Sequence, residues 1–329
     1  MRGLNSWLLK ETKGVRALDK GILYFLKIAY LSLRILLRVS LGRRKRDKIF
    51  IERGFDFNTF LYKVFKVLGI GNSMLLRISV PKYDYKFYCR INNREDLVFM
   101  TNHEEDIIEH FTPKQGDIVV DIGAHMGRYT IISSKRVGAN GKVVAIEAHP
   151  NNFEMLNRNI KLNQLTNVVP LNYAVYSKET KIKLYLPEVE SGYTIYNTIM
   201  SNRARTEDKF VEVNANTLDY LLQLKGIMEV NWIKIDVEGA EFEVLQGASN
   251  VLSKSKDIAL LIEVHGLDNY RPIVEFLSSY NFKIEFEKSN KTGDWRHIVL
   301  RKILLNTIPD MLMKFNEQLI LYFLCRCTS

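Results

Sequence analysis

Cysteine is scarce. The 329 residues contain three, Cys89, Cys325 and Cys327, and none stands at metal-ligand spacing with a histidine. Three thiols cannot build a disulfide framework, so a disulfide-stapled scaffold is excluded and a reducing compartment is the simple inference. The last four residues, RCTS, make no prenylation signal, and Cys325 and Cys327 are read as ordinary reduced thiols. No stretch of about 20 apolar residues free of charge occurs, which excludes a polytopic membrane protein. Internal repeats and low-complexity tracts are also absent. A basic body is lacking too. The formal surplus of +10 resides in residues 1–66, and the remainder is close to neutral. A chain that tracks a nucleic-acid backbone needs a basic face on its body, so no nucleic-acid partner is expected.

What is present begins with the N-terminal arm. Residues 21–41, GILYFLKIAYLSLRILLRVSL, are mostly apolar, but charges interrupt them regularly. At about 100° per residue, Arg16, Lys20, Lys27, Arg34 and Arg38 fall within a stripe roughly 40° wide on a helix. Arg43-Arg44-Lys45-Arg46 follows. A basic stripe, a wide apolar face and an adjacent basic cluster suit a helix lying in an anionic membrane surface through residues 13–48. No small-residue cleavage site follows, which disfavours a signal peptide. The expected location is cytoplasmic, peripheral on the inner face of the cell membrane. A second apolar helix is expected over 303–329.

Between these arms the pattern changes. Two short alternating runs in 74–92 read as a hairpin. Buried strands are expected at 117–121, 142–147, 167–171, 231–236, 258–264, 282–287 and 297–302. Helices fit 127–137, 150–162, 238–246 and 269–279. Short apolar strands alternating with amphipathic helices indicate a mostly parallel α/β sheet covered on both faces. The last two strands are joined by KSNKTGDWR, too short for a crossover helix, and must be an antiparallel hairpin at one edge. The polar, aperiodic stretch 187–207 reads as a substrate-facing loop near the carboxyl ends of the strands.

The first buried strand ends in Asp121-Ile-Gly123-Ala124-His-Met-Gly127 and opens a helix. Glycines here let the backbone turn tightly and approach a ligand. The spacing is D-x-G-x-x-x-G, not the G-x-G-x-x-G of a dinucleotide site. A carboxylate at this bend would repel phosphate but attract a ligand carrying an ammonium and a sulfonium, as S-adenosylmethionine does. Glu147 ends the second strand, 26 residues later, where a carboxylate can accept from both ribose hydroxyls. The candidate cofactor-binding residues are Asp121, Gly123, Ala124, Gly127, Glu147 and Asp236.

At these residues the sequence resembles a class I S-adenosylmethionine-dependent methyltransferase. VVDIGAHMGRYT, then Ile233-Lys-Ile-Asp236-Val-Glu238-Gly239-Ala-Glu241 running into FEVLQGA, then IEVHG at 262–266, resemble the FkbM family over roughly residues 75–290. The resemblance implies a Rossmann-like, seven-stranded sheet with an antiparallel final strand, S-adenosylmethionine as donor, and a hydroxyl acceptor on a sugar or natural product. The methyltransferase domain is expected at 67–302. His125 and Arg128 depart from the commonest family pattern, and the arms 1–66 and 303–329 lie outside the family core.

An alkyl hydroxyl is a weak nucleophile, so methyl transfer to it should use a base near the acceptor. Asp236, Glu238 and His265 are the candidate catalytic residues. Of the six histidines His265 is the best placed to be a base, because its unperturbed pKa lies near neutrality; a histidine that only hydrogen-bonds a loop is the alternative, and Asp236 could also take the proton. Glu241 and Glu263 lie close by in sequence, Glu241 as an acidic residue of a first helical turn. Asp236, Glu238 and His265 could also hold a divalent cation, which nothing in the sequence requires. Two alternatives stay open. One is a nucleic-acid or other small-molecule methyltransferase, although IDVEGAE replaces the Asn/Asp-Pro-Pro-aromatic run of amino-methylating enzymes. The other is a non-catalytic membrane-surface binding module. The sequence is silent on oligomeric state.

Overall fold

A computed structural model describes residues 75–80, 83–90, 104–186, 209–290, 292–293 and 295–303. The basic arm, the 187–207 insertion and the C-terminal apolar segment lie outside the described residues. No helix among the described residues is long and apolar enough to cross a membrane.

Seven strands form the main sheet: β3 (Ile118–Ile122), β4 (Lys142–Ile146), β5 (Val168–Leu171), β9 (Trp232–Ile235), β10 (Ala259–His265), β11 (Phe282–Ser289) and β12 (Trp295–Lys302). They lie in the order β11-β12-β10-β9-β3-β4-β5. β12 runs antiparallel to both neighbours, and the remaining pairs are parallel. This is the Rossmann-like class I methyltransferase sheet, and the edge hairpin follows from the short β11–β12 link. Chain order reverses at β3, which has β4 on one side and β9 on the other. Helices therefore leave these strands towards opposite faces, and their carboxyl ends open a crevice.

Both faces of the strands are apolar because both are covered. Val120, Ile122, Val144, Ile146, Ile233 and Ile235 pack on one side. That side receives α4 (Leu218–Gln223), α5 (Glu241–Gln246), α6 (Ser249–Lys254) and α7 (Leu267–Ser279) through Leu221, Val244, Leu252 and Ile273. Val119, Val143, Trp232 and Leu261 pack on the other side, against Ile131 and Val137 of α2 (Arg128–Val137). The same side takes Ile107 and Ile108 of the short α1 (Glu105–Ile108). The β1 (Leu75–Val80)–β2 (Tyr85–Arg90) hairpin, antiparallel as expected, adds Tyr85 and Phe87.

Helix α3 (Pro150–Leu162) starts where the sequence marks it. His149 Nδ1 accepts from the Asn151 and Asn152 N–H groups, and Pro150 takes the first turn, where its missing N–H is no loss.

A second sheet was not anticipated from the sequence. β6 (Ala174–Val175), β7 (Thr180–Leu186) and β8 (Lys209–Asn216) associate in the order β6-β8-β7. Ala174, Leu184, Val213 and Ala215 form its small buried cluster. The signal was the alternation in TKIKLYL and KFVEVNAN, on either side of the aperiodic insertion. Helices α4 and α6 are likewise additional to the expected set.

Candidate active site

The crevice at the β3/β9 switch holds a pocket. Gly123, Glu147, Asp236 and Glu238 line it, with His125 and Asn152 beside them. Its apolar wall comes from Ile122, Ile146 and Val237 of the main body and from Tyr173, Val175, Ile182 and Leu184 at the second sheet. The unanticipated sheet therefore closes one side of the site.

The glycine turn owes its shape to backbone conformation. Gly123 (φ +73) and Gly127 (φ +97) occupy the left-handed region. A Cβ on Gly123 would lie 1.8 Å from the Asp236 carbonyl oxygen, so the two strand ends can meet only if this residue is glycine. At Gly127 it would meet Leu156 Cδ1 at 2.7 Å. Gly127 precedes α2, and Ala124 packs with Ala145, Leu156 and Ile160. Neither Ala124 nor Gly127 lines the pocket; they shape the turn that does.

Asp121 lies beneath the pocket floor. Its Oδ2 accepts from Thr130 Oγ1, and its register partner across β3–β9 is Lys234. The Lys234 ammonium, on a residue 3% exposed, sits 3.8 Å from Asp121 Oδ1 and donates to Asp236 Oδ2 at 3.1 Å and to the Gly123 carbonyl at 3.2 Å. Burial pushes both aspartates up from the ordinary carboxylate range, and Lys234 opposes that shift. Burial would also discharge Lys234, but Asp236 and Asp121 hold it charged, above its ordinary pKa. The sequence reading passed over Lys234, although a lysine between two isoleucines in a buried strand was a visible signal.

Glu147 Oε2 accepts from the His125 N–H at 2.7 Å and Oε1 from the His149 N–H at 2.8 Å. These bonds orient the carboxylate at the pocket edge. Burial nevertheless pushes its pKa up to about 7.

The acidic end of the site differs from expectation in two respects. The helix after β9 starts at Glu241, not Glu238. Glu238 (φ +57) and Gly239 (φ +110) form a left-handed turn before it, and Glu238 faces the pocket. The second concerns His265, the histidine best placed by sequence to be a base. It does not line the pocket, and both its nitrogens face carboxylates. Nδ1 is 2.9 Å from Glu241 Oε1; Nε2 is 3.3 Å from Glu238 Oε2 and 3.5 Å from Glu263 Oε1. Burial disfavours its charge, but the bonds to Glu241 and Glu263 and the field of Glu238 hold its pKa up to about 12. Both ring nitrogens are engaged by carboxylates, which leaves neither free to take a proton from the pocket. Glu241 is not a solvated helix-dipole residue either. Its side chain is fully buried, and Oε1 also accepts from the Gly239 N–H at 2.8 Å. Glu238, at the pocket, has its pKa pushed up to about 8, first by burial and then by Asp236 and Glu263, against His265.

The family model for the methyltransferase FkbM domain matches residues 121–284. Residues 121–284 are thus an FkbM methyltransferase domain. The match begins at Asp121 and takes in every pocket-lining residue named above from the main sheet. Over 194 residues the chain is 25% identical to the hexuronic acid methyltransferase AglP of Haloferax volcanii, covering 58% of this chain and 75% of AglP. It is 27% identical over 182 residues to Methyltransferase 1 of Beauveria bassiana, covering 50% of this chain and 72% of that one. Among solved structures it is similar to a methyltransferase FkbM from Methylobacillus flagellatus KT, at 15% identity and a TM-score of 0.41. That likeness spans 56% of this chain and 43% of the solved chain.

Proposed function

We propose that this FkbM methyltransferase moves the methyl group of S-adenosylmethionine to a hydroxyl of a sugar in a glycan or glycolipid. The observation that carries the reading is the pocket at the β3/β9 switch, with an apolar wall on one side and Glu147, Asp236 and Glu238 on the other. The donor set fits this cofactor. Glu147 would accept from the ribose, the wall from Ile146 to Leu184 would take the adenine, and the carboxylates favour a sulfonium and an ammonium over a phosphate. When bound, S-adenosylmethionine supplies an electrophilic methyl carbon.

The residues of the chain do the rest. Asp236, held in place by Lys234, orients the acceptor hydroxyl beside the pocket floor. Glu238, fixed in its left-handed turn and backed by His265, accepts the hydroxyl proton as the new bond forms. Sugar as the acceptor class is supported by the likeness to AglP, whose name records hexuronic acid as its substrate.

The full-length protein should gain thermal stability with S-adenosylmethionine or S-adenosylhomocysteine. Glu238→Gln should keep that gain and lose about 10²–10⁴-fold in turnover on a hydroxyl acceptor. A protein that neither compound stabilises would end the donor assignment, and full turnover in Glu238→Gln would end its role as base.

We further propose that residues 13–48 attach the enzyme to an anionic membrane surface, a reading supported by the basic stripe of the sequence. Co-sedimentation with anionic liposomes should need these residues and weaken with salt. Attachment that ignores salt would count against a surface helix.

A further inference from the structure

Beside His265, three more side chains converge. Glu263 and His297 are direct partners in the antiparallel β10–β12 register, so both project from the same face of the sheet. Glu104, in a left-handed conformation (φ +53), caps the start of α1 and reaches the same point. His297 Nε2 lies 3.0 Å from Glu104 Oε1 and 3.3 Å from Glu263 Oε2. One ligand atom from each of the three lies within 4.8 Å of the other two.

Two features of this cluster are poorly served by protons alone. A single N–H on His297 Nε2 faces two carboxylates and can be given fully to only one. Carboxylates are also crowded: Glu104, Asp236, Glu238, Glu241 and Glu263 gather in one largely buried region beside Lys234, His265 and His297. The separations also fit a metal. Neighbouring ligands on an octahedral ion with bonds of about 2.1 Å lie about 3.0 Å apart. Tyr129 donates its hydroxyl to Glu104 Oε2 at 2.7 Å, holding that carboxylate as an outer partner holds a metal ligand.

We propose that Glu104, Glu263 and His297 bind one divalent metal ion next to the methyl-transfer pocket. Two carboxylates and one imidazole suit Mn²⁺ or Zn²⁺ better than the all-oxygen preference of Ca²⁺. The ion takes the place of the proton that His297 otherwise shares, and Glu263 connects it to His265 and so to Glu238. From sequence, Asp236, Glu238 and His265 could hold a cation without requiring one; the structure brings Asp236 and His265 together with Glu263 in a second group of possible ligands. Glu104 and His297 are 193 positions apart and meet only in the fold.

The test uses the full chain, stripped with EDTA and titrated with MnCl₂ by calorimetry and native mass spectrometry. One Mn²⁺ per chain is expected, and pulsed electron paramagnetic resonance of the bound ion should show coupling to one imidazole nitrogen. Glu104→Gln and His297→Gln should each weaken binding at least about tenfold, since even outer-partner losses cost that much. Absence of Mn²⁺ binding, bound Mn²⁺ without nitrogen coupling, or unchanged affinity in both variants would overturn the site. The nitrogen coupling is read on the unmutated protein, so it stands even if a variant fails to fold. S-adenosylhomocysteine binding, measured on the same metal-free sample, separates failure of this site from failure of the donor assignment.

Discussion

Lys234→Met is expected to destabilise the protein by about 3–5 kcal/mol, read as a lower urea midpoint at unchanged slope. The stem of methionine is close to that of lysine in length and fills much the same space, so packing is largely kept. What is lost is the charge between two buried carboxylates. Asp121 is 1% exposed and Asp236 lies at the pocket floor, and each relies on this ammonium against desolvation. Removing one partner of a buried ionic group costs more than the group contributes as a whole, because the remaining charges stay buried. Asp121→Asn in the Lys234→Met background should therefore recover part of the loss, and the double-mutant cycle should report a coupling above about 1 kcal/mol. A loss below about 1 kcal/mol for Lys234→Met would mean that water reaches these carboxylates and that the pocket floor is not a dry ionic layer.

Gly123→Ala is the second large effect. The left-handed conformation alone costs an alanine about 1–2 kcal/mol. The Cβ would then stand 1.8 Å from the Asp236 carbonyl oxygen, a backbone atom that cannot rotate away. Asp236 is itself tied to the first strand, through its N–H to the Ile122 carbonyl at 3.2 Å. Relief requires the ends of β3 and β9 to separate, which displaces two pocket-lining residues at once. Gly116 provides the control. It has φ +85 but nothing within 4 Å of an added Cβ. Gly123→Ala should lose clearly more stability than Gly116→Ala and should lose binding of S-adenosylhomocysteine, whereas Gly116→Ala should keep it. Equal stability losses with binding retained in both would show that the close approach at Gly123 has no part in the site.

The strands of the main sheet were legible because burial on two faces leaves an unbroken apolar run, as in IVVDI, KVVAI and ALLIEVH. The edge hairpin was legible from a short linker. The second sheet was not, because its two long strands flank an insertion and their alternation stops where a hairpin would normally turn. Among site residues, Gly123, Glu147, Asp236 and Glu238 could be named from their positions at strand ends, and the structure gathers them around one pocket. His265 shows the limit of that approach. Its residue type and place suggested a base, but the proton affinity of an imidazole depends on what faces its two nitrogens. Glu263, two residues away but of unknown orientation, and Glu241, 24 residues away, decide it.

The sequence by itself determined the sheet, its central glycine turn and the family to which the turn belongs. These depend on local periodicity and on conformations that few residues can adopt. The tertiary structure alone decided which charges meet. Asp121 with Lys234, and Glu263 with His297, are cross-strand neighbours whose pairing depends on strand order and register, and Glu104 joins them from a distant loop. Charge interactions act through space, so a linear pattern records which ionic groups exist and leaves their partners to the fold.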